Sequence, residues 1–144
     1  MVVMFLGEYR QAMDEKGRLL LSSQYSIELA SGMVVTRGFD RNLMLFPRDG
    51  WQLLAQKILN QPLSNQQSRA LRRRFFSSAI VLNADQYGRI QIPASLCDFA
   101  GLEGEVVLAG MYDFLEIWNI QTWQSVYDVI NNGENDSIWE TVGV

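Results

Sequence analysis

The sequence contains no histidine, which removes the commonest general base and the commonest zinc ligand together. Its single cysteine, Cys97, excludes an intrachain disulfide framework and a cysteine-rich metal site. No apolar run approaches the roughly 20 residues of a membrane-spanning helix. The opening Met-Val-Val-Met-Phe-Leu is too short for a signal peptide and lacks a basic start, so a cytoplasmic protein with no membrane partner is expected. Positive charge is also scarce: the formal net charge of −4 weighs against nucleic acid as a partner. Net charge is a global quantity, however, and a local basic patch binds phosphate on an acidic protein too. What is present is a globular composition, 48% hydrophobic and 19% charged. At 144 residues the chain has room for one ordinary domain, or for two small halves sharing a core.

Two short stretches stand out. Asp14-Glu15-Lys16-Gly17-Arg18 and Asp85-Gln86-Tyr87-Gly88-Arg89 each join a strand-like run to a short apolar or alternating one. Asp at the first position and Gly at the fourth suit a type I turn followed by a left-handed residue. The Asp carboxylate bonds backbone N–H groups inside the turn, and Gly takes positive φ without a Cβ clash. Each stretch therefore reads as a tight hairpin loop with an Arg just past its tip.

Along the chain, residues 4–13 form a strand into the first loop and Leu19–Leu21 return from it. Ser22 or Ser23 caps a short helix through Ala30, closed by Ser31-Gly32. Strands follow at Met33–Thr36 and Leu43–Phe46, separated by a turn at Gly38–Asn42. Pro47, with Asp49 as cap, opens an amphipathic helix in which Trp51, Leu54, Ile58 and Leu59 share a face. Ser64 and Gln67 form a capping box for a second helix through Phe76. The pattern then begins again. Asp14, Gly17, Arg18, Leu19 and Leu21 recur 71 positions later as Asp85, Gly88, Arg89, Ile90 and Ile92. Val34, Val35, Gly38, Leu43, Leu45, Phe46 and Trp51 recur 72 positions later as Val106, Val107, Gly110, Leu115, Ile117, Trp118 and Trp123. Two copies, each too small to bury a core of its own, imply pseudo-twofold pairing within the chain rather than a solenoid. The polar, acidic tail after Asn131 is expected to fray, with Ile138 and Trp139 available to dock.

These residues resemble a known family. FLGEYRQAMDEKGRLLL, VVTRGFDRNLMLFP, SRALRRRFFSSA, DQYGRIQIPASLCDFAGLEGEVVLAG and LEIW are similar to MraZ, bacterial regulators of the division and cell-wall gene cluster, across nearly the whole chain. Thr36-Arg37-Gly38-Phe39-Asp40 and the Arg-Phe-Phe of the linker are more diagnostic than the loops alone. The resemblance implies an α+β, mainly β fold: an AbrB-like swapped-hairpin β-barrel in two tandem pseudo-symmetric copies with peripheral helices. It places a first repeat at 8–55, a helical linker at 56–78, a second repeat at 79–125, and a helix end with a flexible tail at 126–144. It also implies a ring-shaped homo-oligomer, nucleoid-associated, that binds direct repeats of double-stranded promoter DNA. The Asp and Arg of each loop would face the DNA: Asp14 and Arg18, with Lys16 beside them, and Asp85 and Arg89. No cofactor and no metal is implied. The chain departs from the family where basic residues are usual on the helix after each loop, carrying Ser22, Gln24, Tyr25 and Ser26 in one half and Cys97 and Asp98 in the other.

The residues themselves support this reading. A two-stranded ribbon enters the major groove, where an Arg forks onto guanine O6 and N7 or onto phosphate. Asp holds the loop and orients Arg, or accepts from cytosine N4. Arg72, Arg73 and Arg74 fan out by about 100° each along a helix, so they form no single patch. Arg73 and Arg74, like Arg37, Asp40 and Arg41, are read as ion-paired structural or intersubunit residues, with Phe75 and Phe76 in the core or an interface. Trp51, Trp118 and Trp123 are read as core, and Cys97 as a small buried residue. An enzyme is not expected, because no histidine, reactive thiol or phosphate loop stands beside the carboxylates. Two other classes remain open: an AbrB-like antitoxin, and an oligomeric scaffold with weakened DNA binding. Between the loops, the first keeps a lysine and is expected to dominate DNA contact.

Overall fold

The strands form where β-branched and aliphatic residues are buried on both sides. Every residue from Met33 to Thr36 is buried, as is every residue from Leu43 to Pro47, the pattern of central strands covered on both faces. In the computed structural model, which describes residues 4–131 and 136–143, these runs are β3 (Met33–Arg37) and β4 (Leu43–Pro47). Before them come β1 (Glu8–Ala12), β2 (Arg18–Leu20) and α1 (Ser23–Leu29), and after them α2 (Arg48–Leu59). Next comes α3 (Gln66–Phe76). The second repeat supplies β5 (Ile80–Leu82), β6 (Arg89–Gln91), α4 (Ala94–Ala100), β7 (Glu105–Gly110), β8 (Leu115–Asn119) and α5 (Ile120–Asn131), followed by α6 (Asp136–Thr141).

Strand pairing crosses between the repeats. β1 of the first pairs with β7 of the second, and β5 of the second pairs with β3 of the first. Like meets like at the centre: β4 pairs with β8, and β2 with β6. All four pairings are antiparallel, and β4-β8 and β2-β6 lie where a pseudo-twofold axis within the chain relates one strand to the other. The six-stranded sheet has the order β1-β7-β8-β4-β3-β5, and β2-β6 forms a separate ribbon. The expected closed barrel is not seen among the described residues. The sheet is an open row, with β1 and β5 at its edges. The physical reason lies in the short strands: β2 makes one bridge to its hairpin partner, Met13 to Leu19, before turning to β6.

Three apolar clusters hold this arrangement. The largest lies between the sheet and the ribbon and includes Leu19, Ile90, Leu45, Leu108, Leu115 and Ile117, all fully buried. Full burial of one such side chain stabilises by roughly 1.5–3 kcal/mol. On the other side of the sheet, Met44 and Phe46 pack against residues of α2 and α3, while Val107, Ala109 and Trp118 pack against α5. Tyr25 is buried in the central cluster, and its O–H donates to the Leu6 carbonyl (2.8 Å). Burial, then the neighbouring Tyr9, push its phenol up to about 12.

Several local expectations are corrected. Asn65, not Ser64, caps α3: its side chain accepts from the N–H groups of Gln67 (2.8 Å) and Ser68 (3.4 Å). A capping side chain reaches only from the residue directly before the helix, and Ser64 stands one place too early. Asp49 is inside the first turn of α2 and makes no capping bond, so it acts only as a charge near the helix N-terminus. Leu59 is 46% exposed, and Ala55 takes its place beside Ile58. Residues 136–141, expected to be frayed, are helical, and Trp139 is about half exposed. The docking expected of the Ile138 side chain lies outside the described residues.

Candidate nucleic-acid interface

The ribbon decides what the two loops present. In an antiparallel ribbon, residues two apart and their cross-strand partners share a face. The register pairs Arg18 with Gln91, Leu19 with Ile90 and Leu20 with Arg89. Leu19 and Ile90 are completely buried, so their face is the inner one. Arg18, Leu20, Arg89 and Gln91 therefore occupy the outer face, with the two arginines as diagonal neighbours roughly 7–8 Å apart.

Each Arg is held by an identical clamp. Asp14 Oδ1 accepts the backbone N–H of Lys16 (3.0 Å) and of Arg18 (2.8 Å), while Oδ2 accepts Arg18 Nε–H (2.6 Å). Asp85 does the same with Tyr87 (2.8 Å), Arg89 N–H (2.9 Å) and Arg89 Nε–H (2.9 Å). Gly17 and Gly88 take positive φ, +78° and +80°, and their N–H groups donate to the Asp14 and Asp85 carbonyls (both 3.0 Å). Both carboxyls are held below the usual carboxylate range, chiefly because the Arg18 and Arg89 backbone N–H groups donate to them. The clamp uses only Nε of each guanidinium. No hydrogen bond engages the η nitrogens of Arg18 or Arg89 among the described residues, and a third of each side chain is exposed. A forked pair of donors is thus free and aimed by its own loop.

The loops are seated on opposite repeats. Gly17 carbonyl accepts from Ile92 N–H (2.9 Å), just before α4, and Gly88 carbonyl accepts from Leu21 N–H (3.2 Å), just before α1. Gln91 Nε2–H donates to the Lys16 carbonyl (3.1 Å). Behind the first loop lies a cavity of about 540 Å³, lined by Asp14, Glu15 and Lys16 with Cys97, Asp98 and Glu103 of the other repeat. Cys97 is half-buried there, and burial, then Asp98, push its thiol up, which disfavours the thiolate. In the second loop the Arg89 guanidinium sits over the Tyr87 ring, 5.2 Å from its centroid. The sequence shows Tyr87 only as a missing charge. Its stacking role depends on the turn bringing positions 87 and 89 together.

The other expected residues lie apart from the ribbon. Among the described residues Arg37 and Arg41 form no ion pair. Their guanidiniums sit over the Phe99 ring, at 5.5 and 5.1 Å. Among the described residues the ion pairs are those of the two loops. The Asp40 N–H donates to the Asn42 side chain (3.1 Å), closing its turn. Arg74 donates to the Gly38 carbonyl and lies over Phe39, and Arg73 accepts through its carbonyl from Ser77. Phe75 is buried and Phe76 packs edge-on against Trp51. Phe99, the shared platform of two arginines, carried no sequence signal beyond its place on the helix.

Comparison with known proteins adds the decisive observation. The family model "MraZ protein, putative antitoxin-like" matches twice, over residues 4–74 and 75–138. The chain belongs to the MraZ family. It is 44% identical over 125 residues, 87% of each chain, to the transcriptional regulator MraZ of Herpetosiphon aurantiacus. It is 42% identical over 128 residues to the protein of that name in Roseiflexus castenholzii, covering 89% of this chain and 90% of the relative. The corresponding protein of Thermomicrobium roseum is 39% identical over 127 residues, 88% of this chain and 89% of its own. The two family matches meet between Arg74 and Phe75, inside α3.

Proposed function

We propose that the chain is a DNA-binding transcriptional regulator, and that the outer face of its β2-β6 ribbon is the surface that meets DNA. The observation that carries this is the pair of free guanidinium forks, Arg18 and Arg89, held on one face by matching Asp clamps. A ribbon of this width fits the major groove, and each fork matches guanine O6 and N7 or a phosphate. Asp14 and Asp85 aim the arginines, since a carboxylate gains nothing from phosphate. Lys16 adds one further charge beside the first loop. The exchange of β1 and β5 between repeats supports a swapped-hairpin origin for the two units, with 8–55 and 79–125 as the repeats and 56–78 as the linker.

One subunit neutralises few phosphates, so its own affinity is weak and sensitive to salt. A ring of subunits, engaging direct repeats in the promoter of a division and cell-wall gene cluster, gains by avidity what one subunit lacks. That the relatives are named transcriptional regulators supports the class of activity. Arg37, Asp40, Arg41, Arg73, Arg74, Phe75 and Phe76 then serve structure and assembly, and the protein acts in the cytoplasm on the nucleoid without cofactor, metal or catalysis. The test is titration of DNA from directly upstream of the gene at two salt concentrations. Binding that weakens steeply with salt is expected. No binding at low salt would leave an oligomeric scaffold instead.

A further inference from the structure

The last helix of each repeat carries an apolar stripe at the same four places. On α2 these are Trp51, Leu54, Ala55 and Ile58, and 72 positions later on α5 they are Trp123, Val126, Tyr127 and Ile130. The i, i+3, i+4, i+7 spacing sets the four on one helix face. On α2 the stripe is largely covered by α3, which leaves only a groove between the two helices. Ala55 and Ile58 are 8% and 5% exposed, and Phe75, Leu71 and Phe76 of α3 lie in the same cluster. On α5, Trp123 and Val126 pack on the sheet, yet Tyr127 and Ile130 are 41% and 47% exposed. The helix that follows α5, α6 (Asp136–Thr141), has six residues against the eleven of α3, and no apolar cluster among the described residues sets it over Tyr127 and Ile130.

Charge divides the same way. Residues 1–78 hold eleven of the twelve basic residues and six of the sixteen acidic ones, a net of +5, whereas residues 79–144 hold one and ten, a net of −9. From Gln121 onward there is no Lys or Arg. A groove of about 400 Å³ between α2 and α3 is walled by Phe39, Leu54, Ile58, Leu71 and Phe75, with Lys57 among its lining. Arg69, Arg72 and Arg73 lie on the adjoining helix.

We propose that the Tyr127–Ile130 end of α5 docks into the α2–α3 groove of a second copy of this chain. A helix end whose one charge is Asp128, in the acidic half, offers two apolar anchors three residues apart to an apolar groove in the basic half, the helix-in-groove mode of recognition. Opposite charge brings the two together and disfavours like faces. The contact is heterologous: every copy offers one helix end and one groove, so the interaction repeats until a ring closes. This rests on the oligomeric reading above and assigns its two faces. DNA does not suit the groove, because phosphate gains nothing from apolar walls.

Sedimentation of the full chain tests it, using Ile130→Glu for the helix end and Phe39→Glu for the groove mouth, both exposed positions. Wild type sediments as a multi-subunit particle, and each variant alone falls to the mass of one subunit. An equimolar mixture of the two yields a two-subunit species, because the intact helix end of one variant seats in the intact groove of the other. Thermal melts followed by circular dichroism check folding, and Gln61→Trp, which fills the groove from its exposed rim, replaces Phe39→Glu if that variant unfolds. Wild-type mass in Ile130→Glu, or no two-subunit species on mixing, overturns the docking while leaving the oligomer standing. Loss of melting temperature in Ile130→Glu without loss of mass overturns it too, since the chain's own residues then cover the stripe. A one-subunit wild type overturns the oligomeric reading itself.

Discussion

The two Asp–Arg loops share one backbone and differ in what surrounds it. Around Asp14 the neighbours are Lys16, Glu15 and, across the cavity, Asp98 and Glu103 of the other repeat, so the local charge is acidic despite the lysine. Beside Asp85 the lining is Ser26, Ala30, Asn83 and Gln86, with no further charged residue, and the Tyr87 ring lies under the Arg89 guanidinium. The first loop offers more charge and the second a better-ordered fork. Backbone geometry here is dictated by Asp and Gly alone, which recur, while the side-chain environment comes from the loop's two middle residues and from the opposite repeat, both of which have diverged. Duplication has kept the clamp and freed its setting.

The comparison breaks most visibly in the ribbon core. Leu19 and Ile90 are direct partners and equally buried, so Leu19→Ala and Ile90→Ala should each cost about 2–5 kcal/mol and by similar amounts. Denaturant melts of both variants check this, and a large inequality would mean that the repeats are not equivalent supports. Next come the glycines. At Gly88 a methyl group meets nothing closer than the end of Leu20 (3.7 Å), so Gly88→Ala should cost about 1–2 kcal/mol from its left-handed backbone alone. At Gly17 the methyl would lie 2.7 Å from the Ile92 carbonyl, so Gly17→Ala should cost more and also unseat the first loop. Thermal unfolding of the pair reads the difference.

Smaller effects separate the loops themselves. Tyr87→Ala removes an exposed cation–π contact worth roughly 0.5–1 kcal/mol. Through a looser Arg89 it should weaken DNA binding a few-fold, whereas Lys16→Ala should chiefly flatten the salt dependence. Anisotropy titrations at several salt concentrations distinguish the two. The smallest effect is in pH. Both loop carboxyls titrate lower in the folded protein than in the unfolded chain, so their contribution is complete above the ordinary carboxylate range. It is lost as pH falls through the lowered folded values. Asp14→Asn and Asp85→Asn should therefore flatten the acid limb of a stability–pH curve by similar small amounts.

Much of this was legible in the sequence because it is local. Asp and Gly at fixed offsets define the turn without reference to anything distant, and the 71- and 72-residue spacing shows the duplication. Buried runs such as Met33–Thr36 announce their strands through β-branched residues. What sequence did not carry was mutual placement. A barrel was expected, yet the three residues of β2 and β6 make a separate ribbon under an open sheet. The α3 cap moved by one residue because Ser64 and Asn65 are chemically alike, and only backbone position selects between them. The placement of the Arg37 and Arg41 guanidiniums over Phe99 is not legible in the sequence, since it depends on α4 of the other repeat packing against β3.

The central claim is that two equivalent forks on one ribbon face meet DNA together. Fluorescence anisotropy on the gene's own upstream DNA, comparing Arg18→Ala, Arg89→Ala and the double variant at matched oligomer mass, tests it most directly. The expected result is a large loss in each single variant, no measurable binding in the double, and unchanged sedimentation throughout. Wild-type affinity in the double variant would contradict it.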